Sequence, residues 1–265
     1  MITLTSAQLQ ILVASLLWPA TRILGMIAAA PLFGNNSVPL QVKVGLGVLL
    51  ALIVAPVIPA GPALDPVGWD GLLILVQQLL IGVALGFTMR VVFSAVELSG
   101  EIIGMTMGLG FATFFNPQSQ GRSSSISQFL SLMATMAFLA INGHLILISA
   151  LVDSFTTLPI SAAPFHAAGF YQMASWGATI FTTGVQISLP VVAALLITNI
   201  ALAILTRAAP QLNLFGIGFP LTLGVGFILL WLVLPFMAVP IENLLHLGFD
   251  KLQTLPKAFA GQAPK

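Results

Sequence analysis

"GLLILVQQLLIGVALGFTMRVVFSAVELSGEIIGMTMG", residues 71–108, decides the class of this protein. No charged residue stands between Gly71 and Met89. A bilayer core needs roughly 20 apolar residues per helix, so this run reads as a helix of membrane type. Arg90, Glu97 and Glu101 then follow at spacings of seven and four, which places them on one helical face. A charge at the apolar centre of a bilayer costs about 2.5–3.5 kcal/mol on insertion scales. That face is therefore predicted to be a polar seam toward an aqueous lumen or partner subunits; the plainer alternative is a solvated helix end. Glu97 and Glu101 would repel each other four residues apart, so one is expected to take a proton or to meet a cation from another helix. Arg90 lies roughly 10 Å along the axis from Glu97, which stretches any pair within this helix. Gly100, Gly104 and Gly108 recur at every fourth position, and Gly82 and Gly86 repeat the device earlier. Small residues at that spacing let two helix backbones approach closely, within one chain or between chains.

Composition extends this reading to the whole chain. Of the 265 residues, 58% are hydrophobic and 6% are charged, against about 25% charged in a soluble domain. The mean hydropathy is +1.08. So few charges cannot cover a soluble surface, so the chain is membrane-embedded or buried inside an assembly. A net charge of +1 supplies no basic field for nucleic acid. The absence of cysteine removes disulfides, thiolate metal sites and Cys nucleophiles. No Lys or Arg precedes Arg22, so the start lacks the positive region of a signal peptide and reads as a retained helix. Thr5 and Gln8 form a T-x-x-Q capping box ahead of its apolar run.

Charges punctuate the remainder. The stretches 23–42, 44–64, 123–152, 154–206 and 208–241 are uncharged, which predicts about six or seven long helices by the same length criterion. Pro/Gly chemistry places breaks at "PLFGNNSVP" (31–39), "PVIPAGPALDPVG" (56–68), "SFTTLPISAAPFHAAG" (154–169) and "RAAPQLN" (207–213). Neither a solenoid repeat nor strand periodicity is present. The expected fold is all-α, a multi-helix membrane-type protein of long apolar helical hairpins. Residues 1–250 read as a single integral domain, and 251–265 as a polar tail. Lys251, Lys257 and Lys265 favour a cytoplasmic C-terminus. Lys43, Arg90 and Arg207 do not fit one side by simple alternation, so some segments do not span or some charges lie inside packed protein.

"GLGFATFFNPQSQGRSSS" (108–125) interrupts the apolar chain at its middle. Non-helical backbone at membrane depth is tolerated only inside protein or beside a water-filled cavity. Pro117 and Gly121 disfavour helix; Gln118, Ser119 and Gln120 want water or partners; Phe111, Phe114 and Phe115 want the opposite. That mixture suits a constriction that closes a lumen by excluding water, rather than a surface turn dipping into the membrane interface. Ser125 and Gln128 read as an S-x-x-Q box opening the next helix. His144, His166 and His246 are far apart in the sequence, and no phosphate-binding loop occurs. No catalytic constellation, metal site or cofactor site is expected, and the protein is read as a non-enzyme.

At these residues the chain resembles the FliR family, components of the flagellar type III export gate with relatives in injectisomes. The likeness rests on "PLFGNNSVPLQVKVGLG" (31–47), "GEIIGMTMGLGFATFFNPQ" (100–118), "NGHLILI" (142–148) and "RAAPQLNLFGIGFPLTLGVG" (207–226), in that order along nearly the whole chain. The resemblance implies a FliP-like part joined to a FliQ-like part. It implies a pore-forming assembly with FliP and FliQ, with FlhB and FlhA nearby, through which unfolded flagellar proteins pass. It implies residence in the bacterial inner membrane at the flagellar basal body, partly raised above the bilayer plane, and hence contact with membrane lipid but not nucleic acid. It also implies that the segment matching 108–124 is a plug. Phe111, Phe114 and Phe115 would then be its aromatics, with Gly108, Gly110, Asn116, Pro117 and Gly121 shaping the backbone that presents them. The rival expectation is a proton-coupled secondary transporter using Glu97 and Glu101; it calls for inverted repeats, and matching halves are not visible in the sequence.

Overall fold

The structure is a computed structural model that describes residues 6–35, 37–59, 61–62, 64–66, 68–111, 124–209 and 218–262. Among the described residues the chain is all-α. In order come α1 (Ser6–Ala29), α2 (Leu40–Val54), α3 (Trp69–Thr106), a 3-10 turn (Leu109–Phe111), α4 (Ser125–Ala140), α5 (Gly143–Thr157), α6 (Ala167–Gly177), α7 (Thr179–Ala208) and α8 (Phe219–Phe259). The expected Pro/Gly breaks at 31–39, 56–68 and 154–169 fall at helix junctions, whereas Pro19 and Pro190 lie inside helices. α2 follows Pro39, which sits at its N-cap in an extended conformation, and the Pro-rich 56–68 stretch separates α2 from α3. α4 and α5 break at Ile141–Asn142, where Asn142 adopts the left-handed region (φ 55°, ψ 31°), a conformation Asn tolerates better than most residues.

Tertiary contacts divide the chain into two interleaved units. One comprises 1–91, 142–177 and 246–265; the other comprises 92–141 and 178–245. In the first unit, Trp18, Ala14 and Ile74 form one buried cluster, closed by Leu17, Leu64, Leu75 and Ile160. Ala84, Leu255 and Phe259 form another, with Leu158, Phe165 and Met173 against it. In the second unit, Phe93 meets Phe138 edge to face at 5.8 Å, and Leu130, Ala134, Val191 and Leu195 are fully buried.

The last segment differs from its sequence reading. Residues 251–259, expected within a polar tail, are the final turns of α8. Leu252, Leu255, Ala258 and Phe259 are buried, while Gln253 and Lys257 face outward. The Phe259 ring packs on Phe165 at 5.3 Å and on Phe170 at 5.1 Å, and the His166 amide donates to the Phe259 carbonyl at 3.0 Å. Lys251, Gln253 and Lys257 make the window read as polar, but Leu252, Leu255, Ala258 and Phe259 form an apolar stripe at helical spacing, and that stripe is what the structure uses.

Candidate functional site

The residues flanking the central segment lie in the second unit, where α3 and α4 meet. α3 ends at Thr106. Gly108 takes φ 87°, a left-handed conformation that ends helices and that glycine reaches without steric cost. Gly108 therefore terminates the helix, which distinguishes it from Gly100 and Gly104. A Cβ at Gly100 would overlap the Cα of Ser127, and one at Gly104 would lie 2.9 Å from the Ser124 Oγ. Those two glycines let the first turn of α4 rest directly on α3.

Polar bonds fasten that contact. The Ser124 amide donates to Glu101 Oε1 at 2.6 Å, and the Ser124 hydroxyl donates to the Gly100 carbonyl at 3.4 Å. The Ser127 hydroxyl donates to the Glu97 carbonyl at 2.8 Å. One turn on, the Ser131 hydroxyl donates to Glu97 Oε1 at 3.3 Å. Both carboxylates thus receive neutral donors from α4, where the sequence led us to expect a proton or a cation. A seryl face was the signal: Ser124, Ser127 and Ser131 recur at helical spacing, opposite two acids recurring at the same spacing. The cap of α4 is Ser124, whose Oγ accepts from the Ser127 amide at 3.1 Å, not Ser125 as the S-x-x-Q spacing suggested. Arg90 is exposed on the same continuous helix, α3, that carries Glu97 and Glu101. Phe111 lies in the 3-10 turn. Phe114, Phe115, Asn116, Pro117, Gly121 and the Thr5 cap lie outside the described residues. A Cβ at Gly110 would meet nothing within 4 Å.

The first unit holds a polar centre that sequence reasoning passed over. Arg22 is 0% exposed. Its Nε donates to Gln78 Oε1 at 2.8 Å, one terminal nitrogen to the Ser154 Oγ at 3.0 Å, and the other to the Leu158 carbonyl at 2.9 Å. Its guanidinium carbon stands 4.1 Å from the centre of the Phe155 ring. All three acceptors are neutral, and together they join α1, α3 and α5 with the turn after α5. Gly82 and Gly86 serve the same junction. A Cβ at Gly82 would overlap the Arg22 carbonyl, and one at Gly86 would sit 2.6 Å from the Met26 carbonyl. Gly25 answers from α1, where a Cβ would lie 2.8 Å from the Leu79 carbonyl. An arginine inside "WPATRILGM" was the available clue. Among the described residues, no group of three or more His, Asp or Glu side chains could hold a metal.

Residues 13–247 match the family described as bacterial export proteins, family 1. A flagellar biosynthetic protein FliR from Pectobacterium carotovorum is 43% identical over 253 residues, covering 95% of this chain and 96% of that one. The FliR of Escherichia coli K12 is 44% identical over 236 residues, 89% and 90% of the two chains. The chain belongs to the FliR family. Its reach within FliR is broad, since the Bacillus subtilis protein is still 31% identical over 88% of this chain. Membership in the FliR family places the protein in the flagellar type III export gate at the bacterial inner membrane and basal body, as a transport component and not an enzyme. Its long apolar helices accord with that setting. α3 (69–106), the run of α6 and α7 taken together (167–208) and α8 (219–259) are each long and apolar enough to cross a bilayer.

Proposed function

We propose that this chain is a core subunit of the flagellar type III export gate, lining with FliP and FliQ the conduit through which unfolded flagellar subunits pass, and that its 108–124 segment plugs the closed channel. The observation that carries the reading is the closure of that segment's base. Glu101 is about one and a half helical turns before the end of α3 at Thr106, and it holds the Ser124 amide at 2.6 Å. The described residues on the two sides of the segment are thus tied to each other, which supports a loop anchored at both ends. Phe111, Phe114 and Phe115 exclude water there; Gly108, Gly110, Asn116, Pro117 and Gly121 shape the backbone. Arg90 and the solvent-accessible side of Glu97 and Glu101 face water or neighbouring subunits. The gate domain includes the end of α8 as well as the residues before it, with a FliP-like part joined to a FliQ-like part; FlhB and FlhA are neighbours in the same machine.

The gate stands partly above the bilayer in this reading. Helices of 38 and 41 residues have contours of roughly 57 and 62 Å at 1.5 Å per residue, about twice the ~30 Å hydrocarbon core. Glu97 and Glu101 each accept a hydrogen bond from the α4 side, which supports a packing role for them over the proton-coupled transporter reading. The test is replacement of 110–120 by a short Gly/Ser linker in the complex with FliP and FliQ, reconstituted in vesicles. The closed gate should then leak ions and small solutes. Unchanged permeability with intact assembly would remove the plug. Native mass spectrometry of the co-purified complex checks the partners.

A further inference from the structure

We propose that Glu101 is a positioning residue: it completes the N-cap of α4 from a neighbouring helix and so sets where the central segment re-enters the fold. In an ordinary capping box the acid or amide at the third helical position reaches back to the N–H of the capping residue. In α4 that position is Ser127, a serine where the box calls for the longer Glu or Gln, and its hydroxyl is turned to the Glu97 carbonyl at 2.8 Å. The Ser124 N–H would be an orphan donor beside a half-buried helix end. Glu101 supplies the missing acceptor from α3 at 2.6 Å, a charge-assisted bond at the positive end of the α4 dipole.

The two glycines explain why the carboxylate can reach. Side chains at Gly100 and Gly104 would hold α4 off α3 through clashes with Ser127 and Ser124. Glu97 repeats the arrangement one turn along, its Oε1 accepting from the Ser131 hydroxyl at 3.3 Å. The like-charged pair is thus two acceptors in series for one seryl face. What the contact requires of residue 101 is an oxygen at that reach.

The consequence for conduction rests on the plug reading, so the experiment separates the two. Glu101→Gln and Glu101→Met have similar length and differ in the acceptor oxygen. Each is placed in the vesicle-reconstituted complex with FliP and FliQ. Amide hydrogen exchange is followed over residues 124–127, and solute leak through the closed gate is measured in parallel. Glu101→Met should speed exchange at Ser124 by about ten- to hundredfold, the range expected for losing a hydrogen bond to a charged group, and should raise leak. Glu101→Gln should retain most of the protection and the seal. Assembly of the Gln complex but not the Met complex also supports an acceptor requirement. Equal exchange in Met and wild-type complexes, or failure of both variants to assemble, overturns the proposal. If the 110–120 linker leaks while Glu101→Met exchanges faster without leaking, the positioning role is overturned and the plug stands. If even the linker does not leak, the plug reading fails, and the exchange contrast alone decides the cap.

Discussion

Arg22 shows how much one side chain can fasten in a chain with so few charges. A buried guanidinium with neutral partners is costly to desolvate, and it persists because each edge of its fork is occupied. Arg22→Met would leave Gln78, Ser154 and the Leu158 carbonyl without their donor. We expect a loss of about 2–4 kcal/mol, since each buried polar group stripped of its partner costs roughly 1–3 kcal/mol and some relax. Thermal unfolding of the purified complex in detergent measures it. Adding Gln78→Leu should cost less than the sum of the two single changes, because both remove the same bond. Strict additivity would show that the fork is not what joins these helices.

At the scale of the element, α3 reads as two ladders on one helix. Gly82 and Gly86 meet α1, whereas Gly100 and Gly104 meet the start of α4. The four-residue spacing was legible in sequence, but which helix each ladder receives was not, because small-residue spacing carries no information about the partner. Gly82→Ala places a methyl group on the Arg22 carbonyl, a backbone atom that cannot rotate away. We expect about 1–3 kcal/mol of destabilisation from this overpacking. Gly110→Ala, with open space around it, should stay within about 0.5 kcal/mol; equal effects at both sites would refute close backbone contact at Gly82. The end of α8 gives a second test at this scale. Deleting residues 250–265 removes Leu252, Leu255 and Phe259 from the first unit's core and should abolish recovery of folded complex. Full recovery would show the segment to be the dispensable tail its lysines suggested.

For the molecule as a whole, the exposed surface is the governing fact. α2 buries Gly47, Ala51 and Val54 and leaves Leu40, Leu49, Leu52 and Ile53 outward. Ile197, Ile200 and Ile204 on α7 and Trp231, Phe236 and Val239 on α8 are more than half exposed. In the most apolar windows of the α6 and α7 run (167–208) and of α8 (219–259), only 28% and 22% is buried. Contiguous apolar surface of this kind requires lipid or partner protein to cover it. The chain expressed alone should therefore aggregate or unfold on transfer to mild detergent, and co-expression with FliP and FliQ should restore a monodisperse particle. Size-exclusion chromatography distinguishes the two outcomes, and a stable, monodisperse chain on its own would contradict this account.

The sequence by itself determined the all-α membrane-type class, the helix breaks at Pro and Gly, and the FliR resemblance, because these depend on local composition and on spacing within one segment. Only the tertiary structure decided that Glu97 and Glu101 receive serine donors, that Ser124 rather than Ser125 caps α4, that Arg22 is a buried hub, and that Lys251 and Lys257 ride on a helix whose other face is core. The serine donors to Glu97 and Glu101 and the Arg22 hub depend on which groups meet across tens of residues of chain. Hydrogen-bond partners and close backbone approach are properties of a pair of elements, and the pattern within one segment does not name the other.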